Sequence, residues 1–417
     1  MTAMEASPTT IPSSDPAAAT PPARVEASEL LTSPFGGGLS ARGRALRQTG
    51  KVLPEHARGH NRTLVLQTLY SHGLRSRADL ARETGLTRVT VSDLVAELIA
   101  EGLVVELGPR EDARPGKPAT LIDIDRGAFQ IVGLDLSEHD RLRGAVIDLD
   151  GGIVARADVE LAGATGDAAT ELVIGLARRL TELATVPLLG IGIGTPGVVD
   201  PAGVVRSAPN LGWTSEPLQA RVAGALGAPV LVANDANVGV LAEHGAGEGR
   251  DLLLVKIGHG VGAGLIVGGR PVVGSDFAAG EIGHVVVGTD DGPRCACGKH
   301  GCLEAWVAVP RLAEQLEAIE ADGGEASARD DVLREAGRRL AIVLAPVVGA
   351  LNLAEVVLSG PADLLDGAFH DAAVDTLRQR TIADQHRDLR LRMTTLGPDI
   401  VLRGAAVMVL SGQLGVS

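Results

Sequence analysis

Cysteine is almost missing from this 417-residue chain, and the little there is sits in one place: Cys295, Cys297 and Cys302 fall within eight residues. A disulfide framework needs more cysteines than that, spread more widely. Aromatic residues make up only 2% of the chain, so Leu, Val, Ala and Ile must fill any core. No apolar run reaches about 18 residues, which excludes a membrane-spanning helix. The N-terminus has no basic segment followed by an apolar stretch, so no secretory signal is expected. Lysine is scarce beside arginine, while alanine and glycine are abundant, a bias that says little about function. Reduced cysteines at metal-ligand spacing fit a cytoplasmic protein.

What is present is more telling. The run Cys295-Ala-Cys297-Gly-Lys-His-Gly-Cys302 follows Glu281-Ile-Gly-His284. Three thiolates and one imidazole make a closed four-ligand set, the chemistry of a structural zinc site. Gly298 and Gly301 supply the tight turns that bring Cys297 and Cys302 onto one ion. Three ordinary buried cysteines, or a disulfide with one thiol left over, are the alternatives. His300 rivals His284 as fourth ligand, but it lies inside the loop being tied, whereas His284 approaches from outside.

The length implies two or three domains. A net charge of −14 excludes a general nucleic-acid binder. The charge is unevenly spread, however. Residues 40–120 hold 13 Lys and Arg against 9 Asp and Glu, a surplus of +4 that leaves −18 for the rest. A small basic module on an acidic body is the pattern of a DNA reader joined to a second domain.

Residues 1–55 are rich in Pro, Ala, Ser and Thr and predict a disordered tail. Residues 56–124 predict a winged helix-turn-helix. Leu64, Val65, Leu66 and Leu69 give a first apolar face. Ser76-Arg-Ala-Asp79 resembles a capping box, Gly85 stops the helix it opens, and Thr87 caps the next. Val91, Leu94, Val95 and Leu98 line one face of that third helix. It stops at Gly102, and two strands, Leu103–Leu107 and Ala119–Ile122, form the wing. The second helix of such a turn enters the major groove by its N-terminal end. Arg88, Val89, Thr90, Ser92 and Asp93 are therefore candidates for base edges or phosphates, and Arg110, Arg114 and Lys117 for backbone or minor groove. A winged helix used for protein contacts is the alternative. After Asp125, strands alternate with helical stretches to residue 417, which predicts a layered α/β domain.

Gly194-Thr-Pro-Gly197, Asn234-Asp235-Ala-Asn237 and Gly258-His-Gly260-Val-Gly262-Ala-Gly264 each follow a predicted strand. Taken with Ser207-Ala-Pro-Asn210-Leu-Gly-Trp213 and the His–Cys cluster, they make residues 58–412 resemble the ROK family of repressors, open reading frames and kinases. The added winged helix resembles its transcriptional-regulator branch, which includes repressors of xylose and N-acetylglucosamine genes. The resemblance implies an actin-like, ribonuclease-H-like pair of lobes with a sugar in the cleft, and a homodimer or homotetramer. Carried over position by position, it implies a sugar-facing set of Asn210, Asn234, Asp235, Glu281, His284 and Glu304. The ligands of the implied zinc are His284, Cys295, Cys297 and Cys302. The partners expected are operator DNA and a sugar or sugar phosphate, with no membrane.

In the kinases of the family, Asp235 would take the proton of the attacking sugar hydroxyl. The phosphate-binding loops argue against that role here. The family's Asp-x-Gly-Gly-Thr reads Asp135-Leu-Ser137-Glu138-His139, which lacks two glycines and adds a negative charge where phosphates would lie. Its Gly-Thr-Gly reads Gly258-His259-Gly260. The expectation is a sugar-responsive regulator, not an enzyme; the alternative is an ATP-dependent sugar kinase with a fused DNA-binding domain.

Overall fold

The structure, a computed structural model, describes residues 54–109, 119–247, 251–288, 292–382 and 389–416. The predicted tail up to residue 53 and the wing cations Arg110, Arg114 and Lys117 lie outside the described residues.

The first described element, helix α1 (Pro54–His72), begins two residues inside the stretch expected to be tail. Its first residue is a proline, whose fixed φ suits the opening turn of a helix. Strand β1 (Arg75–Ser76), helix α2 (Arg77–Thr84), helix α3 (Arg88–Ala100) and strands β2 (Val104–Pro109) and β3 (Thr120–Ile124) complete a winged helix. The caps form as the residue types dictate. Ser76 Oγ accepts from Asp79 N at 3.2 Å while Asp79 Oδ2 accepts from Ser76 N at 3.2 Å. Gly85 ends α2 at φ 71°. Thr87 Oγ1 accepts from Thr90 N at 3.1 Å. The wing sheet has the order β1-β3-β2; the two-residue β1 has no signal in the sequence.

The rest of the chain forms two lobes. In the first, β4 (Gln130–Asp135), β5 (Arg141–Asp148), β6 (Ile153–Glu160), β7 (Leu188–Thr195) and β11 (Val230–Asn234) form a sheet of order β11-β7-β4-β5-β6. Helix α4 (Asp167–Leu183), a small sheet of β8 (Val198–Val199), β9 (Val205–Ala208) and β10 (Trp213–Glu216), and helix α5 (Leu218–Leu226) lie between its strands in sequence. The second lobe opens with helix α6 (Asp235–Ala246). Its sheet has the order β14-β13-β12-β15-β16, from β12 (Leu252–Ile257), β13 (Val261–Val267), β14 (Arg270–Pro271), β15 (Glu355–Ser359) and β16 (Arg390–Met393). Helices α7 (Leu303–Val307), α8 (Val309–Ala321), α9 (Ala326–Leu351), α10 (Ala362–Leu365) and α11 (Ala368–Arg380) belong to this lobe, and α12 (Ile400–Leu414) closes the chain.

Two helices change sides between the lobes. Helix α6 leaves the first sheet and packs on β12 and β13 of the second; α12 leaves the second and packs on β4 and β7 of the first. The two helices also pack on each other, and small residues make the approach close. A Cβ on Gly404 would sit 2.6 Å from the carbonyl carbon of Val238, and one on Gly192 would sit 2.8 Å from that of Ala405.

The winged helix is not strung on a linker. Leu410 and Leu414 at the end of α12, and Val416 just beyond it, share one buried cluster with Val65, Leu66, Leu69, Leu94 and Leu98. Gln67 Nε2 donates to Gly415 O at 2.8 Å. The Arg126 guanidinium lies 5.1 Å from the Tyr70 ring centroid and pairs with Asp150 at 2.7 Å, closing the same joint from the other side.

Candidate functional site

The C-terminal ends of strands in both sheets converge on the cleft between the lobes. Ligands of open α/β sheets bind beyond such strand ends. Asp135 ends β4, Thr195 ends β7, Asn234 ends β11, and Asp235 opens α6. Gly258-His259-Gly260 turns β12 into β13. Gly197, at φ 88°, packs so tightly against β9 that a Cβ would fall 2.9 Å from the Ser207 carbonyl carbon. The Thr-Pro-Gly motif is thus a close backbone approach.

Four of the six sugar-facing candidates act on one another. Burial raises the Glu281 pKa, His284 pulls it the other way, and the Asp235 and Glu304 carboxylates add smaller upward pushes. Glu304 Oε2 accepts from Val261 N at 3.1 Å, which fixes this carboxylate beneath the β12–β13 turn. The other two are placed differently. Asn234 spends its amide on structure: Oδ1 caps α6 by accepting from Ala236 N at 3.0 Å and Asn237 N at 3.1 Å, and Nδ2 donates to Gly197 O at 2.9 Å. It thereby sets the position of Asp235. Asn210 stands exposed on the short turn Pro209–Leu211 of the first lobe.

Reading motifs in isolation missed Lys256. Its Nζ lies 2.9 Å from Asp235 Oδ2 and donates to Ser137 Oγ at 2.9 Å. Burial pulls the pKa of this ammonium down, but Asp235 and Asp135 outweigh it and the net shift is upward. Its only trace in the sequence is a charged residue near the end of an otherwise apolar strand.

The His–Cys cluster is assembled in space. The ligand atoms of His284, Cys295, Cys297 and Cys302 all lie within 4.8 Å of one another. Cys295 Sγ is 3.6 Å from His284 Nδ1, and Cys297 Sγ is 3.6 Å from Cys302 Sγ. His300 is not part of the group. Burial pushes the Cys295 thiol up to about 12, so without a cation among them this thiol stays protonated. The loop is braced from outside by Arg339 of α9, whose guanidinium lies 3.6 Å from the Trp306 ring centroid and which donates to Val287 O at 3.3 Å.

On the winged helix, the N-terminal half of α3 faces solvent. Arg88, Ser92 and Asp93 are exposed, Val89 is 71% exposed, and Thr90 is half-buried with its hydroxyl 2.8 Å from that of Thr87. The acids of the other half are held back by α1: Glu101 pairs with Arg62 at 2.6 Å and Glu97 with Arg58. Among the described residues, Arg88 has no ion-pair partner.

Comparison with known proteins agrees with this arrangement. Residues 131–411 match the ROK family. The chain belongs to the ROK family. Residues 60–115 match the MarR family, so a MarR-like winged helix precedes the actin-like ROK domain. A putative xylose repressor of Caldicellulosiruptor sp. strain Rt8B.4 is 29% identical over 388 residues, 85% of this chain and 96% of the repressor. The crystal structure of a ROK family transcriptional regulator, a homologue of the Escherichia coli Mlc protein, superposes with a TM-score of 0.76 at 24% identity. That match covers 86% of this chain and 98% of the regulator, and it shows the fold. The ROK hexokinase from Thermus thermophilus superposes with a TM-score of 0.56 at 30% identity, a match that covers 67% of this chain and 97% of the hexokinase.

Proposed function

We propose that this ROK family member is a sugar-responsive, DNA-binding repressor of carbohydrate-utilisation genes. The observation that carries the reading is the joint between its two parts: the winged helix shares a hydrophobic cluster with the end of α12, the helix that crosses between the lobes. A change in lobe arrangement therefore reaches α1, and through it α3. A sugar in the cleft meets Asp235, Glu281 and Glu304, which accept hydrogen bonds from hydroxyls, and His284, whose second ring nitrogen donates one when the first binds metal; such a site rejects ligands lacking hydroxyls. Binding favours one lobe arrangement. In a homodimer or homotetramer this alters the spacing of two winged helices, and half-site spacing is a geometric requirement of operator binding. Arg88 and the hydroxyls at the start of α3 read the major groove, with Arg110, Arg114 and Lys117 on the backbone. Residues 1–55 serve as tail, 56–124 as reader and 125–417 as sensor. A repressor that binds an operator works in the cytoplasm, which is the location this reading implies.

Zinc is the metal we assign to the His–Cys cluster, with a structural role. At zinc–sulfur and zinc–nitrogen bonds of about 2.3 and 2.0 Å, a tetrahedral site has ligand–ligand edges of roughly 3.5–3.8 Å. The two 3.6 Å separations match that size. His284 would bind through Nδ1, which orients its ring at the edge of the sugar site, and the metal would hold the loop that carries Glu304. Phosphoryl transfer is not part of the proposal, because the Asp235 carboxylate is engaged by Lys256.

The test is fluorescence anisotropy with DNA from upstream of the gene and of neighbouring sugar-uptake genes, across a panel of sugars. Specific, salt-sensitive binding released by one sugar is the expected result. Binding that no sugar alters would sink the repressor reading, and sugar-dependent ADP formation would replace it with a kinase.

A further inference from the structure

Lys256 is one of four lysines in a chain with 34 arginines. An ammonium is compact and offers three donors in a tetrahedral arrangement, where a guanidinium is a broad planar fork. At this point the chain uses the compact cation, and the surroundings show why. Lys256 lies on β12 of the second lobe; Ser137 follows β4 of the first lobe; Asp235 opens α6, which crosses between them. Nζ reaches Asp235 Oδ2 at 2.9 Å and Ser137 Oγ at 2.9 Å. Ser137 Oγ donates a hydrogen bond to Asp135 Oδ1 at 2.6 Å, and Asp135 lies 3.9 Å from Arg143. Arg143 in turn pairs with Asp399, immediately before α12, at 2.9 Å. Next to the lysine, the rings of His139 and His259, one from each lobe, stack with centroids 5.0 Å apart. The two loops that resemble phosphate-binding loops therefore hold each other.

We propose that Lys256 is a positioning residue of the effector site: it aims Asp235 at a hydroxyl of an uncharged sugar and ties the two lobes through Ser137. The inference rests on the sugar-responsive reading above and adds the class of effector. The charges explain the class. Asp135, Glu138, Asp235 and Glu304 surround this end of the cleft, and the one ammonium among them is already shared between Asp235 and Ser137. Among the described residues, a phosphate placed beside Asp235 would meet carboxylates and a lysine that is already paired, whereas a neutral hydroxyl donates to Asp235 without disturbing the pair. Removing the ammonium leaves Asp235 mispositioned and its charge unbalanced, and cuts the direct link between β12 and the first lobe.

The probes are D-xylose, D-glucose, N-acetyl-D-glucosamine and the 6-phosphates of the last two. They are titrated by calorimetry into the full-length protein and added to its complex with upstream DNA. The wild type should bind a free sugar and release DNA, and the matching phosphate should do neither. In Lys256→Met, affinity for that sugar should fall more than about tenfold, as expected for truncating one member of a largely desolvated charge pair. Release of DNA by saturating sugar should be lost. Lys256→Arg, which keeps a cation, should recover part of the sugar affinity; a purely structural role would not show that rescue. Ser137→Ala guards against misfolding of the lysine variant: sugar affinity should fall less than in Lys256→Met, because Lys256 keeps its pair with Asp235, while release of DNA weakens, because Ser137 no longer bonds the Lys256 ammonium and the Asp135 carboxylate. Wild-type release with unaltered release in both Lys256→Met and Ser137→Ala overturns the tie. Release by a sugar phosphate overturns the uncharged effector. A wild type whose DNA binding no probe changes fails earlier, and overturns the sugar-responsive reading itself.

Discussion

Substituting Gly404 by alanine adds one methyl group at the crossing of α6 and α12. The new Cβ would lie 2.6 Å from the carbonyl carbon of Val238 and 3.0 Å from its Cγ1. Carbon atoms at rest stand about 3.5–4.0 Å apart, so the helices must separate by roughly 1 Å. The obstacle is backbone, which cannot rotate aside as a side chain can. Overpacking of this kind costs about 1–3 kcal/mol. Against it stands the gain of about 1 kcal/mol from replacing a mid-helix glycine by alanine. The net expectation is destabilisation by up to about 2 kcal/mol, or up to roughly 4 °C in melting temperature for a chain of this length. Gly175 in α4 is the control, because a Cβ there meets nothing within 4 Å. Gly175→Ala should leave the melting temperature unchanged or raise it. Thermal unfolding by calorimetry decides. If the two variants melt alike, the tight crossing of the lobes is wrong, and with it the path by which lobe movement reaches α12. If they differ as expected, Gly404→Ala should also change how far a sugar shifts DNA affinity, since its strain falls on the helices that change sides.

Other expectations follow from single sites. Arg88→Ala should weaken DNA binding and lower the slope of log affinity against log salt by about 0.9 per lost phosphate contact, about 2 for a dimer, as read by anisotropy at several salt concentrations. Cys302→Ser should reduce zinc from about one per chain to near none by elemental analysis, and alter the fluorescence of Trp306, four residues further on in α7; retained metal would show that Cys302 is not a ligand. Asp399 is held below the usual carboxylate range, first by its hydrogen bond with Arg156, with Arg143 and Arg403 adding to the effect against burial. A depressed carboxylate stabilises the fold above its unfolded value of about 4, and that contribution is lost as pH falls through the folded value. Asp399→Asn should therefore flatten the loss of stability between about pH 5 and pH 3, and an unchanged slope by chemical denaturation would contradict the pairing.

The parts that could be read from sequence are those whose partners lie close in the chain. Ser76 and Asp79 are three residues apart, and both halves of their capping box form. Three of the four cluster residues sit within eight positions, so ligand type and spacing alone suggested a site. The parts that could not be read depend on distant segments. Lys256 finds Ser137 from 119 residues away, and no local pattern announces that pair. Strand β1 exists because Arg75 and Ser76 meet Ile122 and Leu121, not because two residues show periodicity. Asn234 sits between. The family pattern pointed it at a sugar, yet an asparagine directly before a helix is a common cap, and the structure uses it as one.

These placements bear on how a kinase-like cleft can serve a regulator. A sugar shifts operator affinity only by as much as it discriminates between two lobe arrangements. Couplings of about 1–3 kcal/mol, some five- to 150-fold in affinity, are typical of such linkage. Had the winged helix hung on a flexible linker, none of that energy would reach it. Instead Leu410, Leu414 and Val416 of the closing segment lie in the same core as Val65, Leu66 and Leu69. At the other end of α12, Asp399 is joined through Arg143 to the loop that Lys256 holds. One helix thus has its start at the cleft and its end in the DNA-reading module. Ser137 and Lys256, which join the two loops across the cleft, are also the residues that connect it to that helix.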